Sequence, residues 1–457
     1  MRDPVGCRFP TPDTFPMAAM PVDLDAISRG RFRVHRVAAP SRPAVPSGTY
    51  SLENHLTLAG PARLEEIARP GMRAVIAFTD ATRHSPDRML VGWLLGKLAG
   101  CGIPADDVTL LCATGLHRPM TAAEREMKLG RELAGTLRII DHNALHTEGL
   151  AELGAIDIEG VGAVPVVTNR MCLEADLLLA TGVVEPHQYA GYSGGAKTVV
   201  IGCGGESTIQ ATHGPAMLDH PGTRLGAVEG SPFQEVMRRA GEMIGLDYII
   251  NVLLDEEGAI LAAAAGAPCD VHDYLIGLGR SAFEVPVERP AHIAIAGVSP
   301  AKASNLYQAS RAATYLALAD RTPLLPGAPV ILPAAIPEGA GEGTGERRFH
   351  EILAGAASPE ELILELRRTG FPAGAQRAYI LAAVLAEHPV IVAGAEHPEI
   401  VRECHMHSVP NLEAALELAE QLARTRFGIP EPAPLDLLAV PNALITLPKL
   451  SESWDKS

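Results

Sequence analysis

Short apolar runs alternating with stretches of helical periodicity, over most of the chain, constrain the fold more than any other feature of this sequence. A run too short for a helix and apolar at nearly every position fits a strand buried on both faces, and strands separated by helices pair in parallel through crossover connections. Arg73–Thr79, Val108–Ala113, Ala175–Thr181, His292–Gly297, Val330–Pro333 and Pro389–Gly394 are expected as strands. Pro86–Ala99, Ala122–Leu133 and Leu412–Arg426, with apolar residues at three- and four-residue spacing, are expected as helices. The fold class is therefore α/β, with two α/β domains of largely parallel sheet and the active site in the cleft between them. An N-terminal domain over residues 1–285 is expected to bear the catalytic site, a second α/β domain covers 286–430, and Phe283–Pro290 (FEVPVERP) links them. The closing segment 431–457, containing LDLLAV and ALITL, packs on the second domain or returns to the first.

Charge and hydropathy remove several function classes. Lys plus Arg at 38 against Asp plus Glu at 54 gives a net charge of −16, which repels a phosphate backbone, so nucleic acid is not an expected partner. No apolar run reaches the roughly 20 residues that span a bilayer, and Met1–Met20 lacks the apolar stretch of a secretory signal. No membrane association and a cytoplasmic location are the expectations. Seven scattered cysteines without a Cys-x-x-Cys suggest neither a disulfide framework nor a zinc knuckle. Lysine occurs only at 97, 128, 197, 302, 449 and 456, so one retained in a Gly-rich loop carries weight, because arginine cannot replace it as an amine nucleophile.

The expected strands deliver polar residues to one place. Arg73–Thr79 runs into Asp80-Ala81-Thr82-Arg83, Val108–Ala113 into Thr114-Gly115-Leu116-His117-Arg118-Pro119, and Ala175–Thr181 leads to Glu185-Pro186-His187. Ligands of open α/β sheets bind beyond the carboxyl ends of the strands, so Asp80, Arg83, His117 and His187 can share one crevice. The densest signal follows at once, a stretch with Gly191, Gly194, Gly195, Gly202, Gly204 and Gly205 interleaved with His187, Lys197 and His213. Ser193-Gly194-Gly195 before a helix start could cradle a phosphate, although such a loop also serves as a plain tight turn. It is not a P-loop, since Ala196 precedes Lys197-Thr198. Most other histidines, among them His142, His146, His220, His350, His405 and His407, are assigned to caps, loops or solvent, and Arg118 is equally suited to an ion pair or a phosphate contact.

Together these segments resemble the catalytic core of the nickel-dependent lactate racemase family, whose members share TGxHRPMT, EPHxxAGYSGGxK and a histidine sixteen residues after that lysine. Thr114–Thr121, Glu185–Lys197 and His213 match, as do Asp80–Arg83 and Ser304-Asn305-Leu306-Tyr307-Gln308, with a continuation through Pro337-Glu338-Gly339. The resemblance implies a nickel-pincer nucleotide, a nicotinate-derived mononucleotide whose two sulfur groups and ring carbon hold nickel. It implies that Lys197 forms a thioamide with that cofactor, that His213 supplies nickel's fourth ligand, and that His117 and His187 are the paired acid/base groups. It further places Asp80, Arg83, Ser193, Gly194 and Gly195 at the cofactor, and Arg83, Tyr307, Gln308 and Arg311 at the substrate. A small 2-hydroxy acid and the enzymes that synthesise the cofactor are the implied partners, and the oligomeric state is left open. Two positions depart from the pattern: Ala196 stands where members often carry Arg, and Arg311 where the lactate enzyme has Lys. A guanidinium grips a carboxylate with two parallel bonds, which favours a bulkier or doubly acidic substrate.

The residue types suit such a reaction. The α-hydrogen of a 2-hydroxy acid is barely acidic beside a carboxylate, whereas moving it as hydride while a base takes the hydroxyl proton gives a planar keto acid open on both faces. Histidine titrates near neutral pH and can both take and give a proton. Two other readings use the same residues: a zinc hydrolase built on His117, His187 and His213, which leaves Lys197 without a role, and a non-catalytic nucleotide or cofactor carrier, which needs no acid/base pair.

Overall fold

The protein is described by a computed structural model covering residues 30–39, 52–255, 258–371 and 375–454. The Met1–Met20 stretch read above lies outside the described residues. Two sheets organise the chain. The first has seven strands in the order Leu56–Ala59, Ile260–Gly266, Tyr248–Leu254, Leu177–Val184, Ala74–Thr79, Val108–Ala113 and Arg138–Asp141. All its neighbours run parallel except Tyr248–Leu254 against Ile260–Gly266. The second has six strands in the order Phe32–Arg36, Leu435–Val440, Ile293–Ala296, Val330–Pro333, Val390–Ala393 and His407–Val409, all parallel. The α/β class with largely parallel sheets is thus what the chain adopts.

Burial explains why these segments are strands. Ala74–Thr79 and Leu435–Val440 are buried at every position, as parallel strands covered on both faces require. The flanking helices read as expected. Asp87–Gly100 buries Leu90, Val91, Leu94 and Leu98 on one stripe, and Ala122–Thr136 starts at a capping box in which Glu124 N–H donates to Thr121 Oγ1 and Thr121 N–H to Glu124 Oε2.

The strand expected to end at Thr181 continues to Val184, because Tyr248–Leu254 pairs with it residue by residue through Leu253 against Val184. At Gly182 the bare Cα faces Asn251, where a Cβ would lie 3.0 Å from the amide nitrogen. That extension places Glu185, Pro186 and His187 just past the end of the sheet. Of Phe283–Pro290, read as a linker, Glu284–Val287 forms a parallel two-stranded ladder with Leu447–Leu450 where the chain passes from one sheet to the other. LDLLAV, whose destination the sequence left open, lies inside the second sheet between the N-terminal strand Phe32–Arg36 and Ile293–Ala296. Among the described residues no helix is long and apolar enough to cross a membrane.

The placement of Leu435–Val440 has a measurable consequence. Leu437 is fully buried between Val34 and Ile293, so Leu437→Ala leaves a cavity in the second sheet and should cost about 2–5 kcal/mol, read as a lower denaturant midpoint.

Candidate active site

The carboxyl ends of three neighbouring strands of the first sheet carry the candidate residues. Asp80 follows Ala74–Thr79 directly and is buried. Its Oδ1 accepts from Thr82 Oγ1 at 2.6 Å and its Oδ2 from His117 Nδ1 at 2.7 Å. Burial opposes the charge on Asp80, but the bonds from His117 and Thr82 and the charge of Arg83 outweigh it and hold the carboxyl below its ordinary value. A carboxylate only accepts, so His117 carries its proton on Nδ1 and leaves Nε2 as the free ring nitrogen. The His117 side chain is about half exposed, at 54%, so Nε2 is open to an incoming molecule.

A second group of residues surrounds Lys197. Its Nζ lies 2.9 Å from His187 Nε2, 5.9 Å from the centre of the Tyr189 ring and 5.8 Å from that of Phe233. Tyr189 in turn meets His187 edge-on at 4.4 Å and His213 at 4.9 Å. Burial, then the charge of Arg83, drives the Lys197 amine well below its ordinary pKa, with Glu185 opposing. Burial likewise pulls His187 well below the usual imidazole value, helped by Lys197, Arg83, His213 and Arg311.

The hydrogen-bond pattern reaches the same conclusion independently. His187 Nδ1 accepts from the Ala190 N–H at 3.3 Å, so the neutral ring carries its proton on Nε2 and donates it to Lys197, which requires an unprotonated amine. His213 is buried, and burial first and Lys197 second bring its pKa down to about 3. Its Nδ1–H donates to the Ile209 carbonyl at 2.9 Å, so Nε2 keeps a lone pair.

The glycine-rich turn that presents Lys197 is fastened to the protein around it. Ser193 Oγ donates to the Val183 carbonyl at 2.8 Å and accepts from Glu185 N–H at 3.1 Å; Gly195 N–H donates to Asn251 Oδ1 at 2.8 Å. His272, buried and lowered to about 4 chiefly by burial, donates Nε2–H to the Ser193 carbonyl at 2.9 Å. Gly194 and Gly195 both have positive φ, and a Cβ at Gly195 would come within 2.8 Å of the His272 ring. In Ser193-Gly194-Gly195, expected as a phosphate cradle or a tight turn, Ser193 Oγ and the Gly195 N–H are bonded inward to protein partners. Ala196 faces Gly241 of the helix Pro232–Ile244 so closely that a Cβ at position 241 would sit 2.6 Å from that of Ala196, and a longer residue at 196 has no room on that side.

Residues of the second domain also reach the neighbourhood of His187. Arg311 donates to Tyr315 Oη at 2.9 Å and to Gln308 Oε1 at 3.5 Å, and its charge bears on both His187 and Lys302. Tyr307 packs edge-on against Phe349 at 5.4 Å. Gln188, next to His187, is buried and accepts at Oε1 from Arg377 at 2.8 Å and from Thr314 Oγ1 at 3.4 Å. Arg377 also stacks over Tyr307, 5.2 Å from the ring centre, and burial lowers its pKa to about 10.

The sequence reading did not single out Gln188, Tyr189, Phe233, His272 or Arg377. Gln188 and Tyr189 stand inside the motif beside His187, which was signal enough; the other three are far from it in sequence. Arg118 pairs with Glu124 through both guanidinium nitrogens, at 2.6 and 2.8 Å, in the helix cap. His142 is buried rather than a surface residue, bonding Gly204 O at 2.9 Å and Asn169 at 3.1 Å.

Residues 33–226 match the family model for the lactate racemase N-terminal domain and residues 289–429 that for the lactate racemase C-terminal domain. The lactate racemase of Lactiplantibacillus plantarum is 29% identical over 374 residues, and that of Thermoanaerobacterium thermosaccharolyticum 30% over 379; each match covers 81% of this chain and 84% of the relative. The solved lactate racemase apoprotein from T. thermosaccharolyticum superposes with a TM-score of 0.74 at 26% identity, covering 88% of this chain and 91% of that one. A Thermotoga maritima protein shares the fold, with a TM-score of 0.59 at 17% identity, covering 86% of this chain and all of that one. With both family domains matched in order and the relatives aligned over four-fifths of its length, the chain is an isomerase that belongs to the lactate racemase family.

Proposed function

We propose that the protein interconverts the stereoisomers of a small 2-hydroxy acid, using a nickel-pincer nucleotide loaded by cofactor-synthesis enzymes in the cytoplasm. One observation carries this reading: the Lys197 amine, its pKa depressed by burial, stands 2.9 Å from His187 in the same aromatic box as His213. The donor set fits the group. A neutral amine is what a thioamide link requires, and a nickel ion already held by sulfur and carbon needs one imidazole more, which His213 Nε2 offers. Among the described residues no three His, Cys, Asp or Glu side chains gather as a metal cage, so a zinc site on His117, His187 and His213 lacks its ligand geometry. When bound, the group supplies an acceptor for the α-hydrogen as hydride.

The chain's own residues supply the rest. Arg83 and Arg311 give an anionic substrate local cations in a protein of net charge −16. Arg311, held by Tyr315 and Gln308, aims a planar fork from the second domain and extends the range of acids toward bulkier or doubly charged ones. His117, oriented by Asp80, takes or returns the hydroxyl proton at Nε2, and His187 serves the opposite stereoisomer. Tyr189 and Phe233 pack around the Lys197 amine and the imidazoles of His187 and His213 and keep water from them.

The reading is tested with loaded enzyme and enantiopure lactate, malate, aliphatic, aromatic and sugar 2-hydroxy acids, followed by chiral analysis in heavy water. The expected product is racemised or epimerised and retains its own α-hydrogen; stoichiometric solvent deuterium at that carbon rejects the hydride route, and no conversion of any acid rejects the activity. His117→Ala and His187→Ala should each lower turnover in both directions by about 10²–10⁴-fold, because the base for one isomer is the acid for the other. His213→Ala should keep its fold and lose nickel, measured by metal analysis. Covalent loading, seen as a mass increment absent from Lys197→Ala, should proceed at neutral pH and fall as acid protonates the amine through its depressed pKa.

A further inference from the structure

Behind the site, the segments that carry it meet at one buried carboxylate. Asp87 is fully buried; its Oδ2 accepts from Thr79 Oγ1 at 2.6 Å and lies 3.0 Å from Lys128 Nζ, and its Oδ1 accepts from the Thr181 hydroxyl. Thr79 is the residue before Asp80. Thr181 lies in the strand leading to His187, and its carbonyl accepts from Thr198, the neighbour of Lys197, at 2.8 Å. Lys128 stands in the helix Ala122–Thr136 that begins just after His117.

The other two donors of Lys128 go to the backbone of the loop above. Nζ donates to the Arg83 carbonyl at 2.6 Å and the Ser85 carbonyl at 3.1 Å, so with Asp87 all three ammonium protons have an acceptor. Residues 81–84 are exposed and belong to no helix or strand. A buried ion pair can often be replaced by apolar groups without loss of stability, so stability alone gives no reason to place a charge here. Fixing two carbonyls of an exposed loop does give one, because no apolar side chain can do it. We infer that Lys128, anchored by Asp87, is a positioning residue that sets the Asp80–Arg83 loop against His117. It thereby fixes both the imidazole's orientation and the cation next to Lys197. The catalytic consequence rests on the functional reading above; the tethering does not.

The tether is tested on the full chain without cofactor or substrate. Lys128 holds the carbonyl of the Arg83–His84 bond, which is a trypsin site. The variant D87N/K128M removes both charges together, so no buried ion is left unpaired, and the wild-type chain is the reference. Trypsin should cut after Arg83 at least about 10-fold faster in D87N/K128M than in wild type, with melting temperatures within a few degrees of each other. Equal cleavage rates overturn the inference. If the double variant does not fold, Lys128→Arg serves instead: it keeps a charge for Asp87 but cannot bring one nitrogen to all three acceptors, and it should also speed cleavage, with an unchanged rate again overturning the tether. In loaded enzyme the folded variant should lose about 10²-fold in kcat, the scale of an ångström-level misplacement. A loosened loop with unchanged kcat overturns the link to catalysis. A wild-type chain that converts no hydroxy acid rejects the functional reading while the cleavage comparison still decides the tether.

Discussion

An amine enclosed by aromatic rings and flanked by an arginine cannot keep its proton at its usual pKa, and the site is arranged around that constraint. Lys197 is brought into this setting by a turn whose glycines have positive φ and whose polar atoms are bound to Val183, Glu185, Asn251 and His272. Such a turn is tolerated because glycine carries no Cβ and because each bond fixes the next. The depressed pKa of Lys197 favours the neutral amine to which His187, 2.9 Å away, can donate. His213, brought down to about 3 chiefly by burial, is neutral near pH 7, so its Nε2 keeps a lone pair.

The two domains share this site instead of merely facing it. Gln188, adjacent to His187, is gripped by Arg377 and Thr314, while Asp219 of the first domain accepts from Tyr379 at 2.7 Å and from Arg367 at 2.8 Å. A single cluster of buried side chains runs from Tyr189 and Tyr192 to Leu306 and Ala312. The chain crosses between the sheets more than once: Phe32–Arg36 pairs with Leu435–Val440 in the second sheet, and Leu447–Leu450 pairs with Glu284–Val287. Movement of one domain relative to the other would therefore act directly on the loop holding His187.

Electrostatics here is local, not global. The surface as a whole is acidic, yet Arg83, Lys197, Lys302 and Arg311 lie close enough to affect each other's protonation or that of His187, with Glu185 as the countercharge. A low-dielectric cleft strengthens such charges toward an anion, so Arg83, Lys302 and Arg311 outweigh a distant net charge of −16.

Much of this was legible in the sequence. The apolar runs foretold buried parallel strands because a strand covered on both faces has no polar face to show, and the motif spacing picked out Asp80, Arg83, His117, His187, Lys197 and His213, of which the last three share one aromatic box. Local pattern failed where pairing partners decide. The strand expected to end at Thr181 runs on to Val184, and the alanine-rich Ile260–Gly266 was not expected as a strand at all; in both cases pairing with Tyr248–Leu254 decides. The roles of Asn251, His272 and Arg377, and the meeting of Thr79, Asp87, Lys128 and Thr181, belong to the tertiary structure alone. A hydrogen bond or a buried charge pair depends on positions in space that residues 8 to 189 apart in sequence acquire only when the chain has folded, whereas periodicity and motif spacing are properties of the chain itself.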